Sequence, residues 1–233
     1  MVKKPSLRLL FSCLSCSIGL LLLNGCSAPQ KASSVSYGKN VQITPSNPLR
    51  RGAHENLCEI FRDNPVWYRD ALQSQRRWGT PVAVKFAFIY QESRFVANAS
   101  PKTSTTIFSN KTSSAFGYAQ ALDGTWGDYV KSTGNYQAHR SNMNDALDFI
   151  GWYNNNANKR IGLQGNQVRE LYLAYHEGIT GYSMGTYNNK TWLLTVADQV
   201  QDRAIRYDQQ LRSCNNEIIA LLKSNGHLLY PLV

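Results

Sequence analysis

Glu92 stands where a carboxylic acid can do proton chemistry. Val84, Phe88, Ile89 and Phe95 form the apolar stripe of a helix. Glu92 follows Phe88 by four residues and Ile89 by three, so it shares their face. A carboxyl group at the edge of a core is partly stripped of water. Its charged form is disfavoured and its pKa rises. A pKa near neutrality suits a general acid that protonates an ether-type oxygen, such as a glycosidic one. The same position would also suit a buried structural carboxylate paired with Arg94 or Lys85.

Two other segments carry polar and aromatic groups in chemically suggestive order. Gly117-Tyr118-Ala119-Gln120 follows a polar loop over 97–115 and precedes Thr125-Trp126. Ala174-Tyr175-His176-Glu177-Gly178 closes an amphipathic helix. Together with Glu92-Ser93, these blocks resemble the catalytic domain of the soluble lytic transglycosylases, in order and in spacing. There, a Glu-Ser pair ends one helix, a Gly-Leu-Met-Gln-like block follows, and an Ala-Tyr-Asn-x-Gly-like block comes third. This chain has Tyr118-Ala119 in place of Leu-Met and His176 in place of Asn.

The resemblance implies a lysozyme-like fold, mainly α, with a substrate groove and at most a small sheet. It implies cleavage of the bond between N-acetylmuramic acid and N-acetylglucosamine in peptidoglycan, with Glu92 as the single catalytic acid and base and 1,6-anhydromuramoyl ends as product. Ser93, Gly117, Tyr118, Gln120, Tyr175, His176 and Glu177 are the substrate-binding positions it points to, and Trp126 is a second aromatic that could stack on a sugar. No metal and no cofactor are expected. The glycan strand is the expected partner, and nucleic acid is not.

Two rival readings carry their own signals. Hydrolysis on the same fold, as in goose-type lysozymes, would need Glu177 or Asp123 to act opposite Glu92. Retaining hydrolases hold two carboxyl groups roughly 5 Å apart and inverting ones about 6.5–9.5 Å apart. A binding adaptor that cuts nothing would have no use for an acid at position 92.

The elements that must position these groups read as helices near 54–63, 65–78, 81–93, 143–158, 166–176, 191–213 and 215–223, with Pro81 in the first turn of its helix. β-branched alternation is scarce. Before them, Lys3, Lys4 and Arg8 precede an apolar run from Leu9 to Leu23. That pattern is a secretory signal over 1–25, too short for a membrane span of about 20 residues. Leu23-Asn24-Gly25-Cys26 resembles a lipobox, which implies lipid on Cys26 and a membrane anchor. Ser27 after it favours an outer-membrane lipoprotein facing the periplasm. Residues 26–50, rich in Ser, Pro and Asn, read as a flexible tether, and 51–233 as the catalytic domain.

Cysteine use and charge agree with export. Cys13 and Cys16 leave with the signal and Cys26 takes lipid, so Cys58 and Cys214 remain as an even pair. A bond between them would close a very long loop, worth roughly 4–5 kcal/mol in the chain-entropy account. The net charge is +10, and losing Lys3, Lys4 and Arg8 leaves +7. A basic exported protein matches a wall polymer that carries carboxylates.

Overall fold

Helices dominate the described residues because apolar side chains recur at helical spacing and Gly79, Gly134 and Gly162 cap three helix ends. The computed structural model describes residues 49–50, 52–101 and 113–227, all within the unit Pro45–Val233. The proposed signal, Cys26, nearly all of the tether and the middle of the polar loop lie outside the described residues. Among the described residues seven α-helices follow one another: α1 Leu57–Asp63, α2 Pro65–Trp78, α3 Val82–Ser93, α4 Asp123–Thr133, α5 Met143–Ile161, α6 Val168–Ser183 and α7 Thr191–Ser224. Among the described residues there is no strand, and one isolated bridge joins Phe116 to Ala121. None of their helices is long and apolar enough to cross a membrane.

The architecture is helix on helix around α3. Ten of its residues are buried on every side, from Val82 to Tyr90 together with Ser93. A helix apolar all round belongs in the centre of a bundle. α7 lies along α1, α3 and α6, while α5 packs against α2, α4 and α6 and also meets α3. Even Lys85 is fully enclosed; its Nζ donates to the Ala71 carbonyl at 2.7 Å. Burial lowers its pKa to about 7, and Asp148 offsets part of that.

Three of the departures from the expected elements have a clear physical reason. Pro81 stands just outside α3, at the N-cap, where its missing N–H costs nothing. α7 is continuous across 214, where two helices were expected. Its 34 residues span about 50 Å, and Cys214 sits inside it because its side chain turns inward to Cys58. The two cysteines are bonded, with Cα atoms 6.0 Å apart and a separation of 156 in sequence. α4 was not expected, since Gly124 and Gly127 weaken its helical propensity. Packing overrides that weakness: Trp126 and Tyr129 lie 5.3 and 5.6 Å from Phe149 of α5.

Residues before α1 also contact the bundle. Leu49 packs on the core, and Arg50 Nε donates to Asp63 at 2.7 Å. α7 closes this end, since Gln210 accepts from the Leu57 amide at 2.8 Å and Tyr207 donates to the His54 carbonyl.

Candidate active site

Glu92 occupies the last turn of α3, and the chain reverses directly behind it. Arg94 and Phe95 both adopt positive φ, 53° and 63°, a conformation that L-residues rarely hold. Such backbone persists only where surrounding contacts determine it. Here Phe95 is buried against Trp67, with ring centroids 6.3 Å apart. Ser93 spends its hydroxyl on the helix, donating to the Ile89 carbonyl at 3.1 Å.

The Glu92 side chain is partly exposed, yet its carboxyl has lost most of its hydration. Burial raises its pKa to about 7, and a hydrogen bond from Tyr172 works in the opposite direction. No other carboxylate contributes to the rise. Neither candidate partner neutralises the acid: Lys85 faces Ala71, and the Arg94 guanidinium lies 3.8 Å from the centre of the Tyr90 ring.

Two tyrosines of α6 stand against this acid, and a third packs behind them. Tyr172 and Tyr175 stand one turn apart on α6, both edge-on to Phe88 of α3, at 5.2 and 5.4 Å. Tyr175 also meets Tyr153 of α5 edge-on at 5.0 Å. Burial, and then the charge of Glu92, push the Tyr175 phenol well above its ordinary pKa. Its hydroxyl donates to the Ala119 carbonyl at 2.6 Å. That single bond joins the second sequence block to the third, beside the first.

The turn that supplies Ala119 depends on glycine. Gly117 has φ +80° and its amide donates to the Ala99 carbonyl at 2.8 Å. A Cβ there would lie 2.1 Å from the Arg140 carbonyl oxygen. Gln120, with φ 47°, turns its amide back into the loop and donates to the carbonyls of Ala99 and Gly117, both at 2.8 Å. Tyr118 is buried, edge-on to Trp67 at 6.0 Å, and is therefore a core ring and not an open platform. Trp126 is half-buried among Tyr129 and Phe149.

A cleft of about 480 Å³ opens beside the tyrosines, between α4, α5 and the break in α6. Its walls include Thr125, Asp128, Trp152, Tyr153 and Arg160. Glu92 does not line it; Tyr153 is the contact through which it meets the Tyr175 ring. The break in α6 falls at Gly178, with φ 78° and ψ 151°, so the helix stops at the third block and resumes at Ile179.

His176 and Glu177 sit at that break with distinct roles. His176 is exposed and edge-on to Trp192 at 5.2 Å. The Glu177 side chain is only 5 % exposed. Lys190 Nζ reaches its two oxygens at 2.7 and 2.9 Å, and Thr186 and His176 add further contacts. Burial works against its ionisation, but Lys190 and Thr186 outweigh it and hold the pKa at about 2. Asp123 is 70 % exposed and paired with Arg140 at 2.8 Å. Among the described residues, no group of three His, Cys, Asp or Glu side chains could hold a metal ion.

Sequence reasoning passed over Tyr153 and Lys190, and also Tyr172. Tyr172 shares the face of Tyr175 at i, i+3, which was a usable signal, but it reads equally well as core.

No curated protein and no solved structure matches the chain. A family model described as the transglycosylase SLT domain does match, over residues 14–214. That match takes in most of the sequence and every group described above, and it supports a peptidoglycan-acting function of the lytic transglycosylase type. The chain belongs to the transglycosylase SLT domain family.

Proposed function

We propose that this protein is a lytic transglycosylase that cleaves the β-1,4 bond between N-acetylmuramic acid and N-acetylglucosamine, using Glu92 alone. The observation that carries this reading is a desolvated Glu92 carboxyl, with a pKa near 7, whose titration no second carboxylate perturbs. Protonated Glu92 gives its proton to the glycosidic oxygen as the C1–O bond breaks. The 2-acetamido oxygen of the muramoyl unit stabilises the cationic C1. Ionised Glu92 then removes the proton from the C6 hydroxyl of the same sugar, and O6 closes onto C1. The acid is restored and no water is consumed.

Environment favours each half of that cycle. Burial keeps the proton on Glu92 before bond cleavage, and the Tyr172 hydrogen bond stabilises the carboxylate formed by it. A hydrolytic route is less well supported. Glu177 is committed to Lys190, and Asp123 to Arg140 in open solvent. Gln120, Tyr175 and Gly117 are proposed to shape the groove through the Ala119 turn, with the cleft at Tyr153 receiving sugar units.

Placement in the envelope belongs to the same proposal. Cys26 would carry lipid, and the tether to residue 50 would let the catalytic domain reach the wall from the outer membrane.

Mass spectrometry of muropeptides released from purified sacculi tests the function. Anhydromuramoyl ends, lighter by one water than reducing ends, are expected. Reducing muramic ends alone would overturn it in favour of hydrolysis.

A further inference from the structure

The C-terminal turn of α3 faces two ways. Glu92 points toward α6, whereas Tyr90, Gln91 and Arg94 meet α7 and line a separate concavity of about 210 Å³. Gln199, Asp202, Arg203 and Arg206 of α7 complete it.

This concavity has a rigid floor. The Arg203 guanidinium lies 3.2 Å from the centre of the Tyr90 ring and donates to Glu55 at 2.8 Å. The Tyr90 hydroxyl donates to the same carboxylate at 2.7 Å. Arg203, only 13 % exposed, is thereby fully engaged. Arg94 stacks on the same ring at 3.8 Å, from a backbone held at positive φ. Among the described residues, no acceptor takes the N–H groups of Arg94 or Arg206, and both side chains face solvent. Three arginines stand against Asp202 and Glu55, so one positive charge is left over.

We infer that Arg94 and Arg206 form a binding site for a carboxylate of the stem peptide carried by a muramoyl sugar near the cleavage point. This rests on the glycan-strand reading above. A guanidinium presents paired N–H donors that match a planar carboxylate. One surplus positive charge suits a monoanion better than a phosphate dianion. The side-chain amides of Gln91 and Gln199 offer donors and acceptors to a peptide backbone. Position agrees as well: Gln91 and Arg94 flank Glu92 in sequence, and an extended peptide of four or five residues reaches about 13–17 Å.

Calorimetric titration of the full chain with a soluble disaccharide-tetrapeptide tests this site without requiring turnover. The expected results are an affinity at least about 10-fold lower once the peptide carboxylates are amidated, and a similar loss for the Arg94→Gln/Arg206→Gln double variant. The amidated ligand makes the comparison on the unaltered protein, so misfolding of a variant cannot imitate it. Unchanged affinity in both comparisons would overturn the inference. So would a double variant that keeps its peptide affinity while losing adhesion to phosphatidylglycerol vesicles, which would assign the arginines to a lipid surface. If the chain binds the peptide yet releases no anhydromuramoyl ends, the proposed function falls and this site stands.

Discussion

Tyr172 donates a hydrogen bond to the Glu92 carboxyl, and this bond alone opposes the effect of burial on that group. The two residues lie 80 positions apart in sequence, and Phe88, one turn before Glu92 on α3, packs edge-on to the Tyr172 ring at 5.2 Å. The pKa of Glu92 therefore depends in part on how α6 docks on α3.

Removing that bond should move the pH profile upward. In the proposed reaction Glu92 begins protonated, so turnover should fall as pH rises through about 7. Tyr172→Phe removes the contribution that lowers the pKa, which shifts the alkaline limb of kcat/KM to higher pH. It also leaves the carboxylate formed in the first step less stabilised, for a loss of about 10- to 100-fold in turnover. A limb that stays in place, or moves down, would contradict the assignment.

Glu92→Gln should abolish cleavage and stabilise the fold at the same time. The folded carboxyl titrates near 7, against 4.5 for the exposed group. Between those values the folded state keeps a proton that the unfolded chain releases, so wild-type stability falls as pH rises. The cost reaches about 3 kcal/mol above pH 7. Glutamine does not titrate and escapes it. Urea denaturation should show the variant more stable than wild type at pH 8 and equal to it below about 4.5, while strand cleavage drops by several orders of magnitude. A stability difference independent of pH would argue against a desolvated acid.

The Glu177–Lys190 pair should set part of the acid limb of stability. With a folded pKa of about 2, below its ordinary 4.5, Glu177 contributes stability that is fully present above 4.5. That contribution fades as pH falls toward 2. Lys190→Met leaves an inward carboxylate without its cation, at a cost of about 2 kcal/mol near neutrality, since Lys190 is itself 40 % exposed. Thermal melts should show the gap to wild type closing as the pH drops below 4.5.

Gly117→Ala should fail through backbone geometry. The new methyl meets the Arg140 carbonyl oxygen at 2.1 Å, and φ +80° is itself unfavourable for alanine. The expected cost is about 3 kcal/mol or more. Because the same turn presents the Ala119 carbonyl to Tyr175, turnover of the surviving folded fraction should drop too. A native melting temperature would show that the turn relaxes freely.

Local signals in the chain carried a good deal of this. The i, i+4 relation of Glu92 to Phe88 placed an acid on a core-facing helix. The order of the three blocks pointed to a lysozyme-like helical fold. An even pair of cysteines, read together with the expected secretory signal, suggested the Cys58–Cys214 bond. Periodicity and spacing are properties of neighbouring residues, so they survive in a one-dimensional record.

Other decisions belonged to the tertiary structure. Which tyrosine of α6 bonds Glu92, that the Gln120 amide serves the loop, that Glu177 is sequestered by Lys190, and that glycine-weakened α4 is helical all depend on distant segments meeting. A side chain's hydrogen-bond partner and the water it loses are fixed by whatever packs against it. Helical period tells which way a residue faces, and only the packed neighbour determines what it finds there.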